Sequence, residues 1–103
     1  MLTIEELSKI IDQKPLWILD GAVGTELERL GYQTHLPLWT ATANAEVPAL
    51  IQQIHMRYAA AGADILTANT FRTSYYTYKK TANEEGAILA CKQGVQLARE
   101  VSE

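Results

Sequence analysis

Asp20 is the residue of this chain best placed to do chemistry. It follows four apolar residues, Leu16-Trp17-Ile18-Leu19, and leads into Gly21-Ala22-Val23-Gly24-Thr25-Glu26-Leu27. A run of this kind reads as a buried strand of a (β/α) barrel whose carboxyl end delivers an acid to the surface. In parallel α/β folds ligands sit beyond the carboxyl ends of the strands. Asp20 can accept hydrogen bonds from an ammonium group. Gly21, Ala22 and Val23 can offer backbone N–H groups to a carboxylate, helped by the helix that opens near Gly24. Together these groups suit the charged end of an amino acid. The alternative is that Asp20 caps the turn that follows, and spacing alone does not separate the two.

A second cluster follows another apolar run. Ala63-Asp64-Ile65-Leu66-Thr67-Ala68 reads as a strand, with Asn69-Thr70-Phe71 at its end. Asn69 and Thr70 are either site residues or turn formers. Trp39, in a loop, either walls a pocket or packs on its neighbours. His35 and His55 have no acidic or cysteine partner at ligand spacing, so both are expected on the surface, His55 on the polar flank of a helix. Gly21-x-x-Gly24 is too short for a dinucleotide fingerprint, and there is no GK[ST] phosphate loop. Cys91 falls on an expected core stripe, where a thiol is an inert apolar group.

The elements that must position these residues follow from patterning. Thr3 and Glu6 form a capping box, with Leu2 and Leu7 at staple positions, so residues 4–12 should be a short helix that ends before Pro15. Residues 16–19 show no alternation, which suits a strand covered on both faces. Residues 24–30 should be helical, with Gly31 as the stop. Residues 32–37 are loop, and 38–41 an ordered loop or a helical turn. Pro48 suits a first helical position. Behind it Leu50, Ile51, Ile54, Tyr58 and Ala61 share one stripe, which Gly62 closes. Residues 74–80 should be a short helix carrying three tyrosines. The last helix, capped by Thr81 or Asn83 with Glu84 and Glu85 in its first turn, should run to about residue 101, with Ile88, Cys91, Val95 and Ala98 facing the core. Strand, helical region and strand joined by short connections give a right-handed β-α-β unit and a parallel pair.

Bulk properties narrow the function. The chain has 103 residues, 48% of them hydrophobic, enough for one packed domain. Its net charge is −3 and Lys79-Lys80 is its densest cationic spot, so nucleic acid is not an expected partner. No apolar run approaches the roughly 20 residues of a membrane helix, and the acidic N-terminus is unlike a signal peptide. One cysteine allows no internal disulfide. A cytoplasmic location is the simplest expectation.

The stretch from Asp20 through Gly31 resembles the opening motif of the homocysteine S-methyltransferase family. Leu38-Trp39-Thr40-Ala41 is similar to the family's next block. His55, Tyr58, Ala61-Gly62-Ala63-Asp64 and Thr67-Ala68-Asn69-Thr70-Phe71 follow in matching order and spacing. The resemblance covers essentially the whole chain. It implies a (β/α)8 TIM barrel that moves a methyl group to the sulfur of homocysteine, giving methionine. It also implies a zinc ion, held by three cysteines, that binds the sulfur as a thiolate. By motif match Asp20 holds the substrate's amino group, Gly21, Ala22 and Val23 lie near its carboxylate, and Trp39, Asn69, Thr70 and Phe71 line the pocket. The Leu-Trp-Thr-Ala block leans toward the branch that uses S-methylmethionine as methyl donor, and the Asn69-Thr70-Phe71 end toward the folate-dependent branch. S-methylmethionine is placed ahead.

The departure from the family is that its zinc cysteines lie far downstream, in a Cys and a Gly-Gly-Cys-Cys block that this sequence does not contain. Cys91 matches none of them. A whole barrel takes about 250 residues. The expectation is therefore the N-terminal part of a single homocysteine-binding barrel domain: the first two β/α units plus an N-terminal helix, inactive alone. The competing expectation is a non-catalytic truncated module that self-associates through open sheet edges or joins a partner chain.

Overall fold

The computed structural model describes residues 2–81 and 85–102. Six helices follow one another: α1 Ile4–Ile11, α2 Val23–Arg29, α3 Ala43–Glu46, α4 Pro48–Ala60, α5 Tyr75–Tyr78 and α6 Gly86–Ser102. The radius of gyration is 14.8 Å, with extents of 46 × 29 × 18 Å. A closed domain of this length has a radius near 13 Å, so the chain is a flattened, open layer.

Local chemistry sets the helix ends. At α1 the Thr3 hydroxyl accepts from Glu6 N at 3.1 Å and the Glu6 carboxylate accepts from Thr3 N at 2.9 Å, the expected capping box. Leu2 and Leu7, at the staple positions, are both exposed, and among the described residues α1 packs on no other helix. Its visible tether is Trp17, whose Nε1 donates to Ile11 O at 2.9 Å. Helices α2 and α4 end identically. Gly31 and Gly62 sit at φ +98° and +114°. Tyr32 N then reaches Leu27 O at 2.9 Å, and Ala63 N reaches Tyr58 O at 3.0 Å. Both are Schellman ends, where glycine enters the left-handed region without a Cβ penalty. Pro48 opens α4 and Ser74 caps α5 through Thr77 N. Asn83 and Glu84, expected at the start of the last helix, lie outside the described residues.

The two expected strands are a correction. Residues 16–19 and 63–68 run parallel, but among the described residues they form only one bridge, Leu19 with Ile65, and no continuous strand. The hydrogen bonds explain why. Asp64 N and Ile65 N both donate to Ile18 O, at 2.7 and 3.1 Å, and Asp20 N donates to Ile65 O at 3.0 Å. Beyond these bonds side chains take over. Ile18 N goes to the Asp64 carboxylate and Thr67 N to the Asp20 carboxylate, each at 2.9 Å. The ladder is cut at both ends by an acid on its own backbone partners. Coverage is also less than expected, because Leu16, Ile18, Leu19 and Ile65 are all exposed.

The core lies between helices. Leu27 of α2, Ala43 of α3, Ile51 and Ile54 of α4 and Leu97 of α6 form its centre, with Val23, Leu30, Tyr32, Val47, Leu50 and Tyr58 around it. A second cluster joins Ala41, Tyr78, Ala87 and Ala90. Ala61 falls outside the α4 stripe and is exposed. The buried face of α6 is Ala87, Ala90, Gly94, Leu97 and Ala98. Of the expected face Ala98 is buried, but the rest is one residue out of phase: Ile88 and Val95 are 65% and 50% exposed and Cys91 is half-buried. Small residues win because the helix must approach backbone. A Cβ on Gly94 would lie 2.6 Å from Asn69 O and 2.9 Å from Asn44 Nδ2.

That contact yields a prediction. Gly94→Ala gains up to about 1 kcal/mol of helix propensity. Overpacking against a backbone carbonyl costs about 1–3 kcal/mol, and the carbonyl cannot rotate away as a side chain would. Net destabilisation is expected, measured as a lower urea midpoint with an unchanged slope.

Candidate functional site

Asp20 ends the first extended segment and is held there by two bonds to the second. Its N–H binds Ile65 O, and its Oδ2 accepts from Thr67 N at 2.9 Å. Its Oδ1 is buried and has no hydrogen-bond partner. The capping alternative does not hold: α2 has no side-chain cap, and the hydrogen bond to the Asp20 carboxylate comes from the opposite segment.

The next residues are pinned from below by α4. Tyr58 Oη donates to Ala22 O at 2.9 Å. A Cβ on Gly21 would fall 2.7 Å from that same Oη, so only glycine lets the loop lie on the tyrosine ring. Val23 begins α2 and packs on the core. The first N–H groups of a helix have no partner within it, which leaves backbone donors in this loop. Burial is the main reason the Tyr58 phenol is harder to ionise than usual, with the charges of Glu26 and Asp20 adding to it.

Trp39 and Phe71 meet at the rim. Their rings are edge to face, 6.1 Å apart and at 80°. Among the described residues Trp39 is the non-glycine residue with positive φ, +49°. Its Nε1 donates to Glu28 Oε1 at 3.1 Å. Its indole lies on Gly24, where a Cβ would be 2.9 Å from Cη2. Gly24 follows Asp20 by four residues and Phe71 follows Thr67 by four, so the aromatic pair joins the loops beyond the two segments. Phe71 is 76% exposed, with the Arg72 guanidinium 5.6 Å from its ring centre.

Asn69 and Thr70 sit differently. Asn69 is buried and its amide is fully engaged: Nδ2 donates to Thr40 O at 2.9 Å and to Asn44 Oδ1 at 3.0 Å, and Oδ1 accepts from Thr40 Oγ1 at 3.4 Å. Asn44 Nδ2 in turn donates to Asn69 O at 2.9 Å and Ala90 O at 3.0 Å. Thr70 O accepts from Thr73 N and Thr73 Oγ1, at 3.2 and 2.8 Å, as a turn former does. The structure thus gathers Asp20, Gly21, Ala22, Val23, Trp39 and Phe71 around one loop system, and places Asn69 in the scaffold beneath.

His55 is a correction. Expected on the surface, it is 0% exposed, and neither ring nitrogen has a hydrogen-bond partner. It stands four residues after Ile51 and three before Tyr58, on the inner face of a helix flanked by both α2 and α6. Its spacing from Ile51 was the available signal. Burial pushes its pKa down, and the negative charge of Asp20 pushes partly back. Cys91 is half-buried, off the inner face of α6. Among the described residues no three His, Cys, Asp or Glu side chains are grouped to hold a metal ion. A groove of about 650 Å³ lies elsewhere, lined by Leu2, Leu66, Ala68, Val95, Ala98, Arg99 and Ser102, with none of the candidate residues in its wall.

Fold and site together give a helical layer beside two short parallel extended segments, the first of which ends in Asp20. The homocysteine S-methyltransferase family model matches residues 17–103, and the chain belongs to that family. It is 42% identical over 69 residues to the homocysteine S-methyltransferase YbgG of Bacillus subtilis, covering 67% of this chain and 22% of that protein. It is 35% identical over 85 residues to a selenocysteine methyltransferase of Astragalus bisulcatus, covering 81% and 25%. The homocysteine S-methyltransferase of Escherichia coli is 31% identical over 98 residues, covering 94% and 32%. The chain therefore spans no more than about a third of the length of these relatives.

A pH dependence follows from His55. Its folded pKa is lowered from the ordinary 6.5, so the unfolded chain binds the proton more readily. The stabilisation is complete above the unfolded pKa and is lost as pH falls from there down through the lowered folded pKa. The urea midpoint should start to drop as pH falls below about 7.5 and keep dropping until the folded ring takes up its proton, and the drop should shrink in His55→Gln.

Proposed function

We propose that this chain is the N-terminal part of a (β/α)8 barrel that transfers a methyl group to the sulfur of homocysteine, and that Asp20 holds the substrate's amino group. The observation that carries the reading is the Asp20 carboxylate itself. It is fixed at the end of the first segment by Thr67 N, beside a loop whose backbone lies on Tyr58. An ammonium group matches that carboxylate, the backbone of Gly21, Ala22 and Val23 lies near the substrate carboxylate, and Trp39 and Phe71 shield the rim. Asn69 and Thr70 act by shaping the loop that carries Phe71.

The described residues do not fit the zinc ion that the family implies, since no three His, Cys, Asp or Glu side chains among them are grouped to hold it. Its ligands belong to chain beyond these residues, and the sulfur end of the substrate with them. S-methylmethionine is the favoured donor and a cytoplasmic setting the favoured location. Among the described residues no helix is long and apolar enough to cross a membrane. A second reading rests on one specific observation. Leu16, Ile18, Leu19 and Ile65 are exposed together along the paired segments. A non-catalytic module that self-associates would cover them. A well-folded, metal-free oligomer of the 103-residue chain by size-exclusion chromatography and metal analysis supports that reading, and a folded monomer opposes it.

The enzyme reading is tested with Asp20→Asn in the longer protein, since asparagine keeps an acceptor for Thr67 N. A charge-assisted hydrogen bond contributes about 1.5–3 kcal/mol, so homocysteine affinity measured by calorimetry should fall about 10- to 100-fold. A thiol of the same length without the amino group should bind both forms alike. Unchanged homocysteine affinity in Asp20→Asn would sink the assignment.

A further inference from the structure

We infer that His55 is the positioning residue for Asp20: its imidazole, enclosed beneath the loop at residues 20–22, donates a ring N–H to one bound water that in turn donates to Asp20 Oδ1. The inference rests on the reading of Asp20 as the amino-group holder and extends it one layer inward.

Three polar atoms carry it. Asp20 Oδ1, His55 Nδ1 and His55 Nε2 are all enclosed and all lack a hydrogen-bond partner. Buried polar atoms in folded proteins are nearly always hydrogen-bonded. The chemistry here is complementary, because a neutral imidazole has one donor nitrogen and a carboxylate oxygen only accepts. The placement agrees. Residues 55 and 58 stand three apart on α4 and so share a face. Tyr58 on that face already touches Gly21 and donates to Ala22 O. The inner face of α4 therefore runs directly under the loop, with the tyrosine serving Ala22 and the histidine, one turn earlier, left for Asp20. Asp20 is also the charge that acts on the His55 ring, and it reaches Tyr58 as well, together with Glu26 and Arg29 of α2.

The consequence is a carboxylate gripped on both sides. Thr67 N holds Oδ2 and His55 orients Oδ1, so the face left for an ammonium group is defined before the substrate arrives. Preorganisation of this kind comes from residues behind the contact atoms. His55 touches no substrate in this scheme and is not a catalytic residue.

Nitrogen-15 spectra of the imidazole in the 103-residue chain test the contact. The expected result is a single neutral tautomer whose protonated nitrogen shifts in Asp20→Asn. A ring that titrates like free histidine and ignores Asp20→Asn overturns the inference. Affinity in the longer protein tests the role. His55→Phe should weaken homocysteine binding about tenfold at a near-unchanged melting temperature, with no effect on the same thiol lacking the amino group. His55→Gln, which keeps a donor, should recover most of the loss. Spectral coupling with no effect of His55→Phe on affinity overturns the positioning role and leaves the reading of Asp20 intact. Unchanged affinity in Asp20→Asn overturns that reading, and the positioning role with it.

Discussion

Two carboxylates hold the paired segments of this chain in register, and the site depends on that register. Asp64 takes Ile18 N and is itself held by Lys14 Nζ at 2.5 Å. The lysine is the first reason its acidity is strengthened, and the Ile18 amide the second. Asp20 takes Thr67 N at the other end. Between them run only the few backbone bonds around Ile18 and Ile65. A slip of one residue in a parallel pair turns every side chain to the opposite face. With so short a ladder, the acids supply the specificity that a longer one would take from repetition. Asp20 faces its loop because Asp64, at the far end, fixes where the pairing begins.

The second support is a polar one inside the helical layer. Asn44 and Asn69 exchange hydrogen bonds and tie α3, α6 and the end of the second segment to one point. Satisfied buried amides favour one arrangement over its near neighbours, because each alternative leaves a donor or acceptor unpaired. Gly94 lets α6 come close enough for this. The network also sets where the chain emerges toward Phe71, two residues beyond Asn69. The Trp39–Phe71 pair is thus placed by a hub whose hydrogen bonds run to Thr40 and Ala90 as well as between its own two amides.

What the sequence made legible was local. The Thr3–Glu6 capping box, the glycines that end α2 and α4 and the proline that opens α4 each act within one turn, and each stands where patterning put it. Asp20 was legible as an acid after an apolar run. Its engagement with Thr67 was not, because that partner is 47 residues away. The face of α6 was misjudged by one position, since hydrophobicity favours Ile88 and Val95 and says nothing of the backbone that Gly94 must meet. His55 was misplaced because a polar residue reads as surface until a second helix is known to cover it. The strands were overcalled for a related reason: apolar runs report burial, and pairing is decided by atoms elsewhere in the chain.

Asp20 carries a consequence for how such a protein can diversify. The same carboxylate aligns the two segments and lies beside the loop at residues 21–23, so a substitution at position 20 disturbs the pairing whatever else it changes. If Asp20 holds a substrate head group as proposed, few mutational routes to a new head-group preference can pass through it. Phe71 is freer: its ring meets Trp39 and Arg72 and is largely open to solvent, whereas Trp39 is anchored on Gly24 and Glu28. Variation is therefore expected at Phe71 sooner than at the acid that aligns the segments.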